Sequence, residues 1–167
     1  YGCALGETLL VFAQAGYTNL TGIDSSWPML ANARKRIEPY HTVSWIQSDK
    51  FLHEIGPFDV ILCNWTLHFI KDKISYLQDI YENLKPGGFL ILSDKTCNTG
   101  IDLELYHKFK QSQGVSPEEI SVKAASVKNI MFIDEPVWYI NTLTQLGFKP
   151  VTVINAAPCF TTFLARK

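Results

Sequence analysis

Apolar positions recur along this chain at two spacings, and the alternation between the two predicts its architecture. Residues 7–15 carry an apolar face at helical spacing that stops at Gly16, and residues 19–23 form a short apolar run closed by Asp24. Ser25 and Ser26 suit the cap of a second helix with Pro28 in its first turn. Met29, Leu30, Ala33 and Ile37 form the apolar face of that helix, and Pro39 stops it. Residues 43–47 alternate as a strand does, ending before Ser48 and Asp49. Residues 58–63 are almost wholly apolar after the Gly56-Pro57 turn, which predicts a central strand covered on both faces. Ile74, Leu77, Ile80, Tyr81 and Leu84 place a helix over 73–84, Lys85-Pro86-Gly87-Gly88 ends it sharply, and residues 89–93 read as a buried strand.

Strands and helices that alternate so regularly call for an α/β fold with a parallel sheet flanked by helices, whose ligands sit at the carboxyl ends of the strands. After Asp94 the rhythm changes. Residues 102–111, 117–132 and 136–146 predict three helices, and 151–155 and 160–165 predict a terminal antiparallel strand pair joined by Ala156, Ala157 and Pro158.

Composition narrows the class. The 167 residues are 47% hydrophobic and 19% charged, which suits one globular domain with a sizeable core. Fifteen Lys plus Arg against sixteen Asp plus Glu leave a net charge of −1, so no general positive field advertises a nucleic-acid or membrane surface. Lys108, Lys110, Lys123 and Lys128 fall on predicted helices, where a solvated surface is the expected role. The longest apolar runs, 9–13 and 89–92, are far too short to span a bilayer, and a soluble protein is expected. Cys3, Cys63, Cys97 and Cys159 form no CxxC pair and follow no secretory leader, so reduced thiols in a cytoplasmic setting are expected. His41, His53, His68 and His107 lack the spacing with which one helix supplies several ligands, and no structural metal is expected.

The candidate chemistry lies at the strand ends. Gly2 and Gly6 flank three residues directly before a helix, as in a loop whose backbone N–H groups face a ligand. Asp24 follows 22 residues after Gly2 at the end of the next strand, where a carboxylate can accept hydrogen bonds from both hydroxyls of a ribose. Asp49 ends the third strand and can accept from an adenine amine, with the backbone N–H of Lys50 offered to a ring nitrogen. Asn64 leaves the central strand with an amide that both donates and accepts, suited to the amino-acid part of a cofactor or to a substrate edge. Trp65 and Phe69 suit the wall of an apolar pocket or the core.

Gly2-Cys3-Ala4-Leu5-Gly6, Gly22-Ile23-Asp24, Asn64-Trp65-Thr66-Leu67-His68-Phe69 and Leu84-Lys85-Pro86-Gly87-Gly88 resemble the ordered motifs of class I S-adenosylmethionine (SAM) methyltransferases. More narrowly, Ser93-Asp94-Lys95, His107-Lys108-Phe109-Lys110, Glu119-Ile120-Ser121, Asn129-Ile130-Met131 and Phe163-Leu164-Ala165-Arg166-Lys167 resemble the carboxy-SAM synthase branch, which makes carboxy-SAM from SAM and prephenate for tRNA wobble-uridine modification. The resemblance implies a Rossmann-like fold with SAM as cofactor. It also implies that Gly2, Cys3 and Ala4 lie at the cofactor, Asp24 and Ser25 at its ribose, Asp49 and Lys50 at its adenine, and Asn64 at a further contact. The synthases place an arginine after the lysine matching Lys123, and here that position is Ala124. A methyl side chain supplies no partner for an extra carboxylate, so ordinary methyl transfer is the leading expectation and carboxy-SAM synthesis the alternative. A first strand before Tyr1, in a sheet ordered 3-2-1-4-5-7-6, is also expected of a family member. The chain as given is therefore expected to be one domain, residues 1–167, lacking that strand and impaired by its loss.

Methyl transfer from a sulfonium asks mainly for alignment, and a base is needed only where the acceptor loses a proton. His68, Tyr106 and His107 are the base candidates, with none ahead. A small-molecule acceptor is expected and self-association stays open. A nicotinamide-dependent oxidoreductase is a rival of the same fold class, but the Gly2-to-Gly6 loop lacks the GxGxxG order that a pyrophosphate calls for. A SAM-binding subunit without catalysis is the other rival.

Overall fold

In a computed structural model, the described residues are all except 41, 42, 51, 53, 54 and 98, so His41 and His53 lie outside them. They form two compact units, Tyr1–Pro57 and Phe58–Lys167.

The first unit runs α1 (Glu7–Gln14), β1 (Leu20–Asp24), α2 (Trp27–Ile37), a 3-10 turn over Glu38–Tyr40 and β2 (Val43–Gln47). The strands pair in parallel from Leu20 opposite Val43 to Asp24 opposite Gln47, so both end at the same edge. Ala13, Ile23, Leu30, Ala33 and Ile37 are buried between helices and strands. Two glycines permit this packing. A Cβ on Gly22 would lie 2.7 Å from the Trp45 ring and 2.8 Å from Leu9, and one on Gly6, whose φ is +74°, would lie 2.9 Å from Ile37. Ser26 occupies the N-cap of α2 as expected, yet its side chain makes no capping bond. The Asp24 carboxylate takes the Ser26 N–H in its place.

The second unit contains β3 (Phe58–Asn64), a 3-10 turn over Leu67–Phe69, α3 (Lys73–Glu82), β4 (Leu84–Lys95), α4 (Gly100–Ser112), α5 (Pro117–Val127), α6 (Pro136–Gln145), β5 (Val151–Ala157) and β6 (Phe160–Arg166). Its sheet has the order β3-β4-β6-β5, with β3 and β4 parallel and the remaining pairs antiparallel. That is the 4-5-7-6 part of the expected order, and β1 with β2 supplies the 2-3 part. Leu90, Leu92, Leu77, Ile80, Tyr139, Leu143, Phe148 and Phe163 are fully enclosed and form the core.

Several expectations need correction here. β3 pairs with β4 alone among the described residues, and Val60 on it is exposed, so it is an edge of this sheet rather than a central strand. The apolar run fixes neither the number of neighbours nor cover on both faces: of β3 only Ile61 and Cys63 are buried. Lys85-Pro86-Gly87-Gly88 does not separate helix from strand. It is bulged chain inside β4, with the register against β3 shifting between Phe58 and Val60. Gly88 fits there because a Cβ would meet the carbonyl oxygens of Lys85 and Asp59 at 2.9 and 3.0 Å. α5 starts as predicted, on a Ser116–Glu119 capping box with Pro117 in the first turn, but ends at Val127 and not at Phe132. The N–H of Phe132 is drawn off to the carbonyl of His68, at 2.7 Å, and its carbonyl takes the Lys73 ammonium. Ala156 and Ala157 belong to β5, so the final hairpin turns on Pro158 and Cys159 alone, with Cys159 at φ +66°.

Candidate functional site

In the first unit the glycine loop is built by the main chain. Gly2, Ala4 and Gly6 have φ of +65°, +46° and +74°, and the Gly6 N–H closes a turn on the Cys3 carbonyl at 2.8 Å. The Cys3 N–H donates to the Ile23 carbonyl at 3.0 Å, which ties the loop to the end of β1. Asp24 then fastens both sides of that edge. Its Oδ2 accepts the Ala4 N–H at 2.8 Å and its Oδ1 accepts the Ser26 N–H at 2.9 Å. With only 9% of its surface exposed, Asp24 is a buried carboxylate whose two oxygens are each held by a peptide donor. An ionised carboxylate offers about four lone-pair sites, so two acceptor directions remain. Burial, then the nearby Asp24 charge, push the Cys3 thiol up to about 11, which keeps it protonated at neutral pH and unsuited to act as a nucleophile.

The neighbouring strand end is laced to this edge. Ser48 N–H donates to the Asp24 carbonyl at 3.0 Å, the Tyr1 hydroxyl to the Ser48 carbonyl at 3.0 Å, and the Gln47 side chain to the Ser25 carbonyl at 3.2 Å. Ser25, Asp49 and Lys50 are exposed beside it. The Lys50 N–H is engaged differently from the sequence expectation: it donates to Ser48 Oγ at 3.1 Å, in a local turn that Asp49 bridges.

In the second unit Asn64, half-buried, ends β3 opposite Ser93. Trp65 follows at φ +55°, 65% exposed and edge-on to Phe160, so it is not core. His68 is buried, with Nδ1 2.5 Å from Asp94 Oδ1, while Asp94 Oδ2 accepts the Tyr139 hydroxyl at 2.6 Å. Asp94 is fully enclosed. Burial first, and the Asp94 carboxylate next, raise the Tyr139 hydroxyl far above its ordinary value, so it remains a donor. The buried Lys73 ammonium lies over the Tyr139 ring and pairs with Asp134. His68 therefore sits in a fastened polar cluster that sequence spacing did not reveal, because its members come from β4, α3 and α6.

Tyr106 and His107 lie on α4, both half-buried. Burial lifts the Tyr106 hydroxyl, and the Lys110 ammonium stands 4.3 Å above its ring, with Lys95 5.7 Å from it. Lys110 thus packs on an aromatic ring, whereas Lys108, Lys123 and Lys128 are exposed on the helical surface. A cavity of about 330 Å³ in this unit is lined by Asp59, Val60, Lys85, Gly88 and Phe89, at the opposite end of β3 from Asn64, and contains none of the candidate residues. Among the described residues no three His, Cys, Asp or Glu side chains cluster as a metal would require, and no helix is long and apolar enough to cross a membrane.

The profile of a family described as a methyltransferase domain matches residues 1–90. A carboxy-S-adenosyl-L-methionine synthase from Hydrogenovibrio crunogenus is 34% identical over 99% of this chain and 71% of its own length. This chain is a member of that methyltransferase family. A second carboxy-S-adenosyl-L-methionine synthase, from Wolinella succinogenes, is also 34% identical, over 99% of this chain and 74% of its own length. Among solved structures, an S-adenosylmethionine dependent methyltransferase from Mesorhizobium loti shares the fold with a TM-score of 0.75 at 19% identity, covering 99% of this chain and 88% of that one. The DhpI–SAH complex does so with a TM-score of 0.68 at 17% identity, covering 99% and 73%. The expectation of a SAM-dependent transferase with a Rossmann-like fold, parallel strands and an antiparallel C-terminal pair is met.

Proposed function

We propose that this methyltransferase passes the sulfonium methyl of SAM to a small-molecule acceptor by in-line displacement, with Gly2, Cys3, Ala4, Asp24, Ser25, Asp49, Lys50 and Asn64 as the cofactor contacts. The observation that carries this reading is the geometry at Asp24, a buried carboxylate aimed by two peptide N–H donors at the end of β1, with acceptor directions left for a ribose. The exposed Asp49 carboxylate suits an exocyclic amine. Because the Lys50 N–H is taken by Ser48, adenine recognition there rests on Asp49 and on the Lys50 stem packing against the ring.

SAM supplies the electrophilic methyl, and the chain's part is to bind, orient and exclude water. His68 is the favoured base among the three candidates when the acceptor must lose a proton, since Asp94 holds its Nδ1 and leaves the tautomer with a free Nε2 lone pair. Tyr106, its hydroxyl lifted, is a donor at neutral pH. A cytoplasmic setting suits the four free cysteines.

A second reading, carboxy-SAM synthesis, is favoured by the names of the relatives at 34% identity. Ala124 speaks against it: it is exposed on α5 and offers no cation to a carboxylate. Mass spectrometry of the compound retained on purification separates the two, with SAM or its demethylated product expected and carboxy-SAM overturning the first reading. Calorimetric titration with SAM and with NADH is expected to give heat with SAM alone; binding of NADH alone would return the oxidoreductase.

A further inference from the structure

Beyond the last ladder pair of β4 and β6, Lys95 opposite Phe160, the two chain segments stay in contact. The Thr96 N–H donates to the Cys159 carbonyl at 2.9 Å, and the Thr96 and Thr161 hydroxyls bond at 2.8 Å. Thr96 thus shares a face with Thr161, and alternation along extended chain would put the side chains of Cys97 and Cys159 on opposite faces. Cys159 departs from that pattern. At φ +66° it leaves the extended conformation, at a position that glycine fills with less strain, and its thiol donates to the Cys97 sulfur. The Cys97 thiol in turn donates to the Thr99 carbonyl at 3.3 Å.

Both thiols are free, and they differ in access: Cys97 is half-buried, whereas Cys159 is 2% exposed. Burial, then the neighbouring Cys97, push the Cys159 thiol up to about 11, so it stays protonated at neutral pH and leaves the first attack to Cys97. The buried Lys95 has its ammonium within electrostatic reach of both sulfurs and 5.7 Å from the Tyr106 ring. An accessible thiol backed by a buried second one suits a pair that closes in two steps.

We propose that Cys97 and Cys159 are a modification site, a dithiol that a small-molecule disulfide oxidises reversibly to an intrachain disulfide joining the end of β4 to the β5–β6 turn. In the first step the deprotonated Cys97 sulfur attacks one sulfur of the small disulfide, forms a mixed disulfide and expels one thiolate. In the second, the Cys159 sulfur loses its proton and attacks the Cys97 sulfur, and the mixed disulfide breaks to release the second thiolate. The protein gives up two electrons and two protons, and the small disulfide takes up both to become two thiols. In a reducing compartment the pair rests as thiols. The closed form pins the chain beside Lys95 and Tyr106, so the thiol balance of the surroundings reaches the carboxyl end of β4. The proposal is independent of the methyl acceptor.

Non-reducing peptide mapping by mass spectrometry tests it, on the folded chain equilibrated in glutathione buffers of rising disulfide content and quenched with acid. The expected product is a Cys97–Cys159 crosslink that dithiothreitol reverses. Cys159→Ser is expected to stop at a glutathione adduct on Cys97, and Cys97→Ser to leave Cys159 unmodified over the time in which the wild-type chain closes. Because the two thiols already meet in the folded chain, closing them favours that state, and the urea midpoint of the oxidised form is expected above that of the reduced form. A wild-type chain that carries glutathione adducts without the crosslink, or that keeps both thiols free in glutathione disulfide alone, overturns the proposal. So does a crosslink from either residue to any other cysteine, or an oxidised form whose urea midpoint is no higher than that of the reduced form.

Discussion

Two buried aspartates, one in each unit, are held in opposite ways. Asp24 is gripped by the peptide N–H groups of Ala4 and Ser26, whereas Asp94 is gripped by the side chains of His68 and Tyr139. The backbone grip keeps acceptor directions open at the end of a strand, as the proposed ribose contact requires. The side-chain grip consumes both oxygens inside a core and fixes the orientation of a histidine. Burial alone therefore does not separate the two carboxylates; the origin of their donors does.

The largest expected break in this comparison is Asp94→Ala. Two donors inside the core lose their acceptor, and urea unfolding is expected to show a loss of about 3 to 5 kcal/mol. Next, Asp24→Ala is expected to weaken SAM binding about 100-fold by calorimetry, as two charge-assisted hydrogen bonds to a ribose are removed. If Asp24→Ala leaves SAM affinity intact, the two aspartates are both structural. Gly22→Ala is expected to cost about 1 to 3 kcal/mol by urea unfolding, because the new methyl group presses on Trp45 and Leu9 and must displace them.

The smallest effect sharpens the second grip. The Tyr139 hydroxyl titrates above its unfolded value, so the stability it contributes is complete below about pH 10 and declines as pH rises beyond that value. Tyr139→Phe is expected to flatten that alkaline decline in urea midpoints measured from pH 8 to 11, while lowering stability at pH 8 by about 1 kcal/mol.

The same contrast explains what was legible in the sequence. Asp24 stands at the end of an apolar run after a glycine loop, and local pattern alone locates it beside Gly2, Cys3 and Ala4. Strands β1, β2 and β3 and the first turns of α2, α5 and α6, which hold Pro28, Pro117 and Pro136, are likewise written in local spacing and proline position. The Asp94 cluster is not, because Tyr139 is 45 residues away from it and no period links the two. Helix ends were the weaker expectation. Past Val127 the N–H groups of Ile130 and Met131 turn back to the Val127 carbonyl and that of Phe132 goes to the His68 carbonyl, a tertiary partner that no local signal announces. Nor does an apolar pattern say that β4 absorbs Lys85 to Gly88 as a bulge, since that depends on the tight fit of Gly88 against neighbouring carbonyls.

A grip made of peptide N–H groups has an evolutionary reading. Every residue except proline carries that donor, so positions 4 and 26 are free to drift in side-chain identity without releasing Asp24, within the left-handed backbone that Ala4 adopts at φ +46°. Proline at either site would delete one clasp while leaving the charge and bulk of the neighbourhood nearly untouched. In a saturation library, such a lesion would stand out as intolerance to a single residue type amid broad permissiveness.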